Sequence, residues 1–287
     1  MRVKREKCYI TAMAKPRKRH VQQSIRFPDK NGQNRGRRKG ERYRGRKPGR
    51  KPKSGRAGSP HTERPEIKWW QPVHIVLRVH EDVQGLRKRH MYQALRDATI
   101  TVALRELNFE DKENAFRIVH ISIQNTHIHL LVEAGNKELL SRGMQSFQIS
   151  AAKHINRAYS EHAGLSRRRR GTVFPDRYFE EVIETPRQAR HALAYVLNNW
   201  RKHREDNRHR VARTWNVDPY STGLLFSGWK EREEAQLMWR WPETYEPLAV
   251  YVPQTWLLRE GWRKHGRIAY REVPSTPIRG RVAAAAG

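Results

Sequence analysis

Apolar positions recur in two rhythms between residues 72 and 203, and the way these rhythms alternate sets out the elements of the chain. Residues 74–79 read His-Ile-Val-Leu-Arg-Val, a short run rich in β-branched side chains, which is the pattern of a buried strand. From 85 to 107, Leu86, Tyr92, Leu95, Ile100, Leu104 and Leu107 fall near helical spacing with basic residues between them, predicting an amphipathic helix. Two β-rich runs follow, 116–123 and 126–134, separated by the polar pair Gln124-Asn125, which suits a tight hairpin turn. Helical periodicity returns over 137–159 through Leu140, Met144, Phe147, Ala151 and Ile155, and a basic loop at 167–170 ends in Gly171. Residues 178–183 make a further strand, and Thr185-Pro186 opens a last helix reaching about residue 203, proline being well placed at the first helical position. The order strand, helix, strand, strand, helix, strand, helix predicts an α+β fold. Its form is a ferredoxin-like split βαβ antiparallel sheet with helices packed on one face and one helix added.

Composition divides the rest. The 287 residues carry 59 Lys+Arg against 29 Asp+Glu, a net charge of +30, of which +18 falls on residues 1–67. Residues 31–60 hold almost no aliphatic side chain and many Gly, Pro, Arg and Lys, too little apolar surface to offset the entropy of ordering. Residues 1–67 therefore read as a disordered basic arm, 68–207 as the folded domain and 208–287 as a Trp- and Pro-rich extension lying across the core. Within the arm, the stretch 44–53 resembles an AT-hook, with Arg44, Arg46 and Arg50 as candidate DNA contacts, although Lys47 interrupts the pattern. A solvated charge run that binds any nucleic acid through counterion release is the plainer reading of the same residues. Met13 offers a second possible start. One cysteine excludes an internal disulfide framework and any multi-cysteine zinc site. No run approaches the ~20 apolar residues of a membrane span, and residues 1–30 lack a secretory apolar core, so the expectation is a cytoplasmic protein. So strong a positive charge implies a polyanionic partner, nucleic acid first.

The chemistry-bearing residues lie in two places. In Thr126-His127-Ile128-His129-Leu130-Leu131-Val132-Glu133, period-two alternation points His127 and His129 to the same side, close enough to share a metal ion, while Ile128, Leu130 and Val132 enter the core. An unpartnered imidazole is costly to desolvate in so apolar a strand, which favours a task for the pair over the usual satisfied histidine. In Ala194-Tyr195-Val196-Leu197-Asn198-Asn199-Trp200, Tyr195 and Asn199 stand at i and i+4 and share a helical face. If that helix covers the histidine face, Asn199 is placed to give a third ligand through its amide oxygen, with Tyr195 beside the metal. Taken singly, a tyrosine next to Leu193 and Leu197 is as readily a core residue. Asn198 leaves the ligand assignment open by one position, and His120 and Glu133 stand as alternative ligands, as partners that orient an imidazole, or as ordinary strand residues.

The His-hydrophobic-His strand followed by a Tyr-Val-Leu-Asn-Asn helix resembles the HUH single-tyrosine transposases, most closely the REP-associated tyrosine transposases. Further echoes are Pro72-Val73-His74-Ile75-Val76-Leu77-Arg78-Val79, Ser141-Arg142-Gly143-Met144-Gln145, Phe174-Pro175-Asp176-Arg177-Tyr178, Val217-Asp218-Pro219-Tyr220-Ser221 and the stretch Thr255-Trp256-Leu257-Leu258-Arg259-Glu260-Gly261-Trp262. The resemblance spans about residues 13 to 275. It implies that His127, His129 and Asn199 hold Mg²⁺ or Mn²⁺. It also implies that Tyr195 attacks a phosphodiester in single-stranded DNA beside a hairpin repeat, leaving a 3′-hydroxyl and a 5′-phosphotyrosine link. Arg167, Arg168, Arg169, Arg170, Arg190, Arg201 and Lys202, with the arm, would hold the hairpin. A bacterial, nucleoid-associated protein follows, working as a monomer, with a dimer that exchanges tyrosine helices as the other arrangement in the wider family. The chain departs from its relatives in having Gln124-Asn125-Thr126 where they commonly carry Pro-Asn before the first metal histidine. Two other readings of the same residues are a non-catalytic nucleic-acid-binding protein with structural histidines and a domesticated transposase. Trp69-Trp70 serves either to stack bases or, more simply, to anchor the tail.

Overall fold

The computed structural model describes residues 63–107, 115–208, 210–232 and 246–274; most of the basic arm, with Arg44, Arg46 and Arg50, lies outside them. Four strands and three long helices follow one another in the predicted order. They are β1 (Val73–Arg78), α1 (Arg89–Leu107), β2 (Arg117–Ile123), β3 (His127–Glu133), α2 (Lys137–His162), β4 (Phe179–Val182) and α3 (Pro186–Lys202). The sheet is antiparallel throughout, in the order β2-β3-β1-β4, which is the split βαβ arrangement.

Local chemistry accounts for the boundaries. Helix α1 starts at Arg89 and not at residue 85, because Gly85 sits at φ 91°, in the left-handed region, where it turns the chain out of a short 3-10 turn. The hairpin turns on Asn125 and Thr126, one residue later than expected, since Gln124 still donates its backbone N–H to His127 O at 2.9 Å. Asn136 caps α2 by accepting from Leu139 N. At α3 a reciprocal capping box joins Thr185 and Gln188 around Pro186.

Alternation along the strands gives the sheet two different faces. Val73, Ile75 and Leu77 of β1 and Ile128, Leu130 and Val132 of β3 join Leu95, Met144, Phe147 and Ile155 of α1 and α2 in the larger core. Gly143 lets α2 come close here, for a Cβ at that position would lie 2.0 Å from Phe116 Cγ. The opposite face carries His74, Val76 and Arg78 of β1 and His127, His129, Leu131 and Glu133 of β3, and α3 lies across it. Of the helices, α1 and α2 thus share one face and the added helix takes the other.

Beyond α3 the chain builds a second core. Leu193, Val196 and Leu197 pack with Trp229, Trp262, Ile268 and the leucines of a short helix α4 (Trp256–Arg259). The same segment covers the edge of β2: Ile123 N donates to Tyr220 O at 2.9 Å and Tyr251 N to Ile118 O at 2.8 Å, which closes an otherwise open row of backbone groups. Two buried carboxylates hold it there. Asp218 takes a bidentate pair from Arg87 at 2.8 and 2.9 Å. Glu133, fully buried, accepts from the backbone N–H of Gln254 and Thr255 and from the Thr255 hydroxyl. Trp69 and Trp70, by contrast, are 64% and 45% exposed, so they do not anchor the preceding tail by burial. Among the described residues no helix is long and apolar enough to cross a membrane.

Histidine 120 gives this docking a pH dependence. It is buried, with Nδ1 3.1 Å from Thr222 Oγ1 of the covering segment, and burial lowers its pKa to about 4. Between the ordinary 6.5 and about 4 the unfolded chain binds a proton that the folded chain refuses. The stability contributed by the neutral ring is therefore complete above pH 6.5 and is lost as pH falls through that window, by about 3 kcal/mol at the acid end. His120→Gln should keep the fold at pH 7 and reduce the fall in Tm between pH 7 and pH 5, measured by calorimetry. The remaining fall is shared by His127 and His129 with His90, His154 and His203, whose pKa values burial also lowers.

Candidate active site

Helix α3 crosses β1 and β3 so that one stripe of its surface, Tyr195, Asn199 and His203 at i, i+4 and i+8, faces the histidine side of the sheet. The two ends of the stripe are fixed by ring contacts. Tyr195 stands edge-on to His129 with centroids 5.2 Å apart and to His74 at 5.7 Å, while His203 stands edge-on to His127 at 5.3 Å. His127 and His129 are themselves 4.8 Å apart. Asn199 stands on the same stripe, one turn from each end.

Hydrogen bonding is incomplete at this point. His127 Nδ1 meets Thr126 Oγ1 at 3.1 Å and His129 Nδ1 meets His74 Nε2 at 3.1 Å, so Nε2 is the remaining donor position of each ring. His129 Nε2 and both amide atoms of Asn199 are buried without a hydrogen-bond partner. Leaving a buried polar group unmatched costs roughly 1–3 kcal/mol, so this cluster is held at the expense of stability. The pKa of His127 is lowered to about 4 by burial first, and then by His203 and Arg78. His129 is pushed well below the ordinary value by burial and by the neighbouring His74 and His127. Both rings are thus neutral at physiological pH and keep the lone pairs that metal coordination requires. By type, two imidazole nitrogens and an amide oxygen are a donor set for a borderline divalent cation such as Mn²⁺, while among the described residues no group of three or more His, Cys, Asp or Glu is arranged to hold a metal ion.

Asn198 and Asn199 are separated by their partners. Asn198 points away from the stripe and donates Nδ2 to Ala269 O at 3.0 Å. Glu133 is engaged by the 254–255 backbone and by Arg117 at 3.3 Å, and His120 by Thr222, so neither approaches as a ligand. The structure brings Tyr195, His127, His129 and Asn199 together. Lys202 also comes near, its Nζ 4.8 Å from the Tyr195 ring centroid. The other basic candidates lie elsewhere. Arg190 is committed to a bidentate pair with Glu272 at 2.8 Å and to the carbonyls of Gly266 and Arg267. Arg201 bonds Tyr270 O, Asn216 O and Asp206. In the 167–170 loop Arg169 bonds Asn156 Oδ1 at 2.7 Å and Arg168 the carbonyl of Lys153, while Arg167 and Arg170 are exposed. Two site residues escaped the sequence reading, His74 and His203. His74 alternates with Val76 and Arg78 as His127 does with His129, but the strand register that brings it to His129 is not written in either strand alone.

Comparison with known proteins finds similarity to transposases. The family model described as "Transposase IS200 like" matches residues 69–199, a span that takes in all four strands and ends on Asn199. Over that span the chain is similar to the IS200-like transposases. Among solved structures, a REP-associated tyrosine transposase bound to a REP hairpin is 18% identical, covering 67% of this chain and 96% of that one, with a TM-score of 0.39. A candidate transposase from Deinococcus radiodurans R1 is 13% identical, covering 53% of this chain and 98% of that one, with a TM-score of 0.32. No curated protein matches the chain.

The two adjacent asparagines should behave oppositely on replacement. Asn199→Leu removes two unmatched buried polar atoms and should raise the stability of the metal-free protein by about 1–2 kcal/mol. Asn198→Leu removes one unmatched atom, Oδ1, but also the donor to the Ala269 carbonyl, and should lower it by a smaller amount. Urea denaturation of both variants in EDTA checks the pair.

Proposed function

We propose that this protein nicks single-stranded DNA beside hairpin repeats and transfers the cut strand through a 5′-phosphotyrosine link on Tyr195. The observation that carries the proposal is the buried, unmatched cluster of His129 Nε2 and the Asn199 amide beneath Tyr195, one side-chain step from His127. His127, His129 and Asn199 would hold Mg²⁺ or Mn²⁺, Mn²⁺ being the better match for two imidazoles. A divalent cation bound there would draw charge from a phosphodiester oxygen and favour attack at phosphorus.

The residues of the chain supply the rest. Tyr195 is fixed by the turns of α3 above His129 and His74, so its hydroxyl need not search for the phosphate. Its oxygen forms the new P–O bond as the bond to the 3′-oxygen breaks, and the phenolic proton leaves with that 3′-hydroxyl. One ester replaces another, so the bond energy is kept and rejoining needs no external source. Lys202, beside the tyrosine ring, would meet the negative charge of the phosphate. The hairpin class of substrate comes from the resemblance to REP-associated transposases, and the basic arm and the exposed Arg167 and Arg170 suit a sequence-tolerant grip on its backbone.

A denaturing-gel assay tests this directly, using single-stranded hairpin DNA from the repeats that flank the gene, with Mn²⁺ or EDTA. Wild type should cut and form a covalent protein–DNA adduct only with the metal. Tyr195→Phe should give no adduct, and His127→Ala should cut about 100-fold more slowly or less. Metal-dependent cutting that survives Tyr195→Phe would transfer the role of nucleophile to water or another residue, and binding without cutting on several such hairpins would leave a binding protein.

A further inference from the structure

His74 lies on β1, outside the metal-ligand set proposed above, yet it is 7% exposed and packed into the site. Its ring runs nearly parallel to that of His129, at 18°, with Nε2 3.1 Å from His129 Nδ1. On the other side the β1–β4 register sets Glu181 directly opposite it, and the Glu181 carboxylate approaches His74 Nδ1 at 4.0 Å. Glu181, His74 and His129 thus form a line across three neighbouring strands, ending at the unmatched Nε2 of His129.

The chemistry of the line has a direction. A carboxylate only accepts, so it favours the His74 tautomer that carries its proton on Nδ1. Neutral His74 then presents a bare Nε2, which can only accept, and His129 must donate from Nδ1. A neutral imidazole with its proton on Nδ1 has its lone pair on Nε2, and that atom is buried without a hydrogen-bond partner on a ring that stands 5.2 Å from that of Tyr195. The reversed line would put a proton on His129 Nε2, where it would block coordination.

We propose that His74, oriented by Glu181, is a positioning residue that holds His129 in the Nδ1–H tautomer and so keeps Nε2 ready for a divalent cation. The proposal rests on the metal reading of the site, and it extends that reading from three ligands to the strand that orients one of them. Groups that orient a metal-bound histidine commonly change metal affinity by 10–100-fold when removed.

The test uses the full chain, with Mn²⁺ as the probe, in calorimetric titrations of wild type, His127→Ala, His74→Phe, His74→Gln and Glu181→Ala. Long-range ¹⁵N–¹H spectra of the metal-free proteins report the His129 tautomer, and thermal melts check that each variant folds. Wild type should show His129 with its proton on Nδ1. His74→Phe, which keeps the flat ring but removes the acceptor, should lower Mn²⁺ affinity about 10–100-fold and move the proton toward Nε2. His74→Gln, whose amide oxygen can accept in place of Nε2, should restore most of the affinity, and Glu181→Ala should lose only a few-fold. A merely structural role for His74 would move neither the tautomer nor the rescue by glutamine. Wild type that binds Mn²⁺ no better than His127→Ala overturns the metal reading and this proposal with it. Wild type that binds while a folded His74→Phe matches it in affinity and tautomer overturns the positioning role alone.

Discussion

The structure turns on a sheet that is buried on both faces while only one of them is apolar. The face toward α1 and α2 needs no directional partners, and Val, Ile and Leu fill it. The face toward α3 carries His74, His120, Ser122, His127, His129 and Glu133, and each must find a matching group or incur a desolvation cost. Part of that matching is supplied from far along the chain, by Thr222 for His120 and by the 254–255 backbone for Glu133, while Ser122 accepts locally from Gln124. The C-terminal segment is therefore part of the domain's interior. Its anchor points are the polar residues of the sheet, and its tryptophans close the space around α3.

Against that background the unmatched atoms beneath Tyr195 are informative. A polar core atom without a partner is commonly removed by a single substitution, since Leu or Met of similar volume would be more stable. Here His129 Nε2 and the Asn199 amide, on a strand and on the helix that crosses it, both lack partners, and His129 and Lys202 both lie against the Tyr195 ring. A cation held as proposed would satisfy these atoms and stabilise the fold by mass action.

The element order, the ferredoxin-like topology, the common side of His127 and His129 and the common helical face of Tyr195 and Asn199 were legible in the sequence because each rests on short-range signals. Period-two alternation orients the histidine pair, and the Thr185-Pro186 start sets the phase of α3. What could not be read depends on register and on long-range pairing. Nothing in residues 74–79 says that His74 will meet His129, and the two asparagines differ only in that one reaches Ala269, 71 residues on. The arginines show the same limit. Arg190 and Arg201 read as surface charge for DNA because basic residues usually are, but carbonyls and carboxylates of the segment 205–272 fill their donors. Positive charge on a helix reports an acceptor nearby without saying whether it is a phosphate or the chain itself.

That use of Arg190 and Arg201 bears on the tyrosine they flank. Helix α3 is gripped at three levels on the side away from the sheet, by Arg190 to Glu272, by Asn198 to Ala269 and by Arg201 to Tyr270. These bonds span just over three turns and bracket Tyr195 and Asn199, which look the other way. A nucleophile on a free helix would slide and rotate relative to the histidine pair, and misplacement of about 1 Å can cost about 100-fold in rate. By clamping the back of α3, the C-terminal segment fixes its rotation, and with it the height of Tyr195 over His129. The residues that position Tyr195, the proposed nucleophile, therefore reach well past the 69–199 span that the family model matches, into a part of the chain whose sequence alone suggested only an extension.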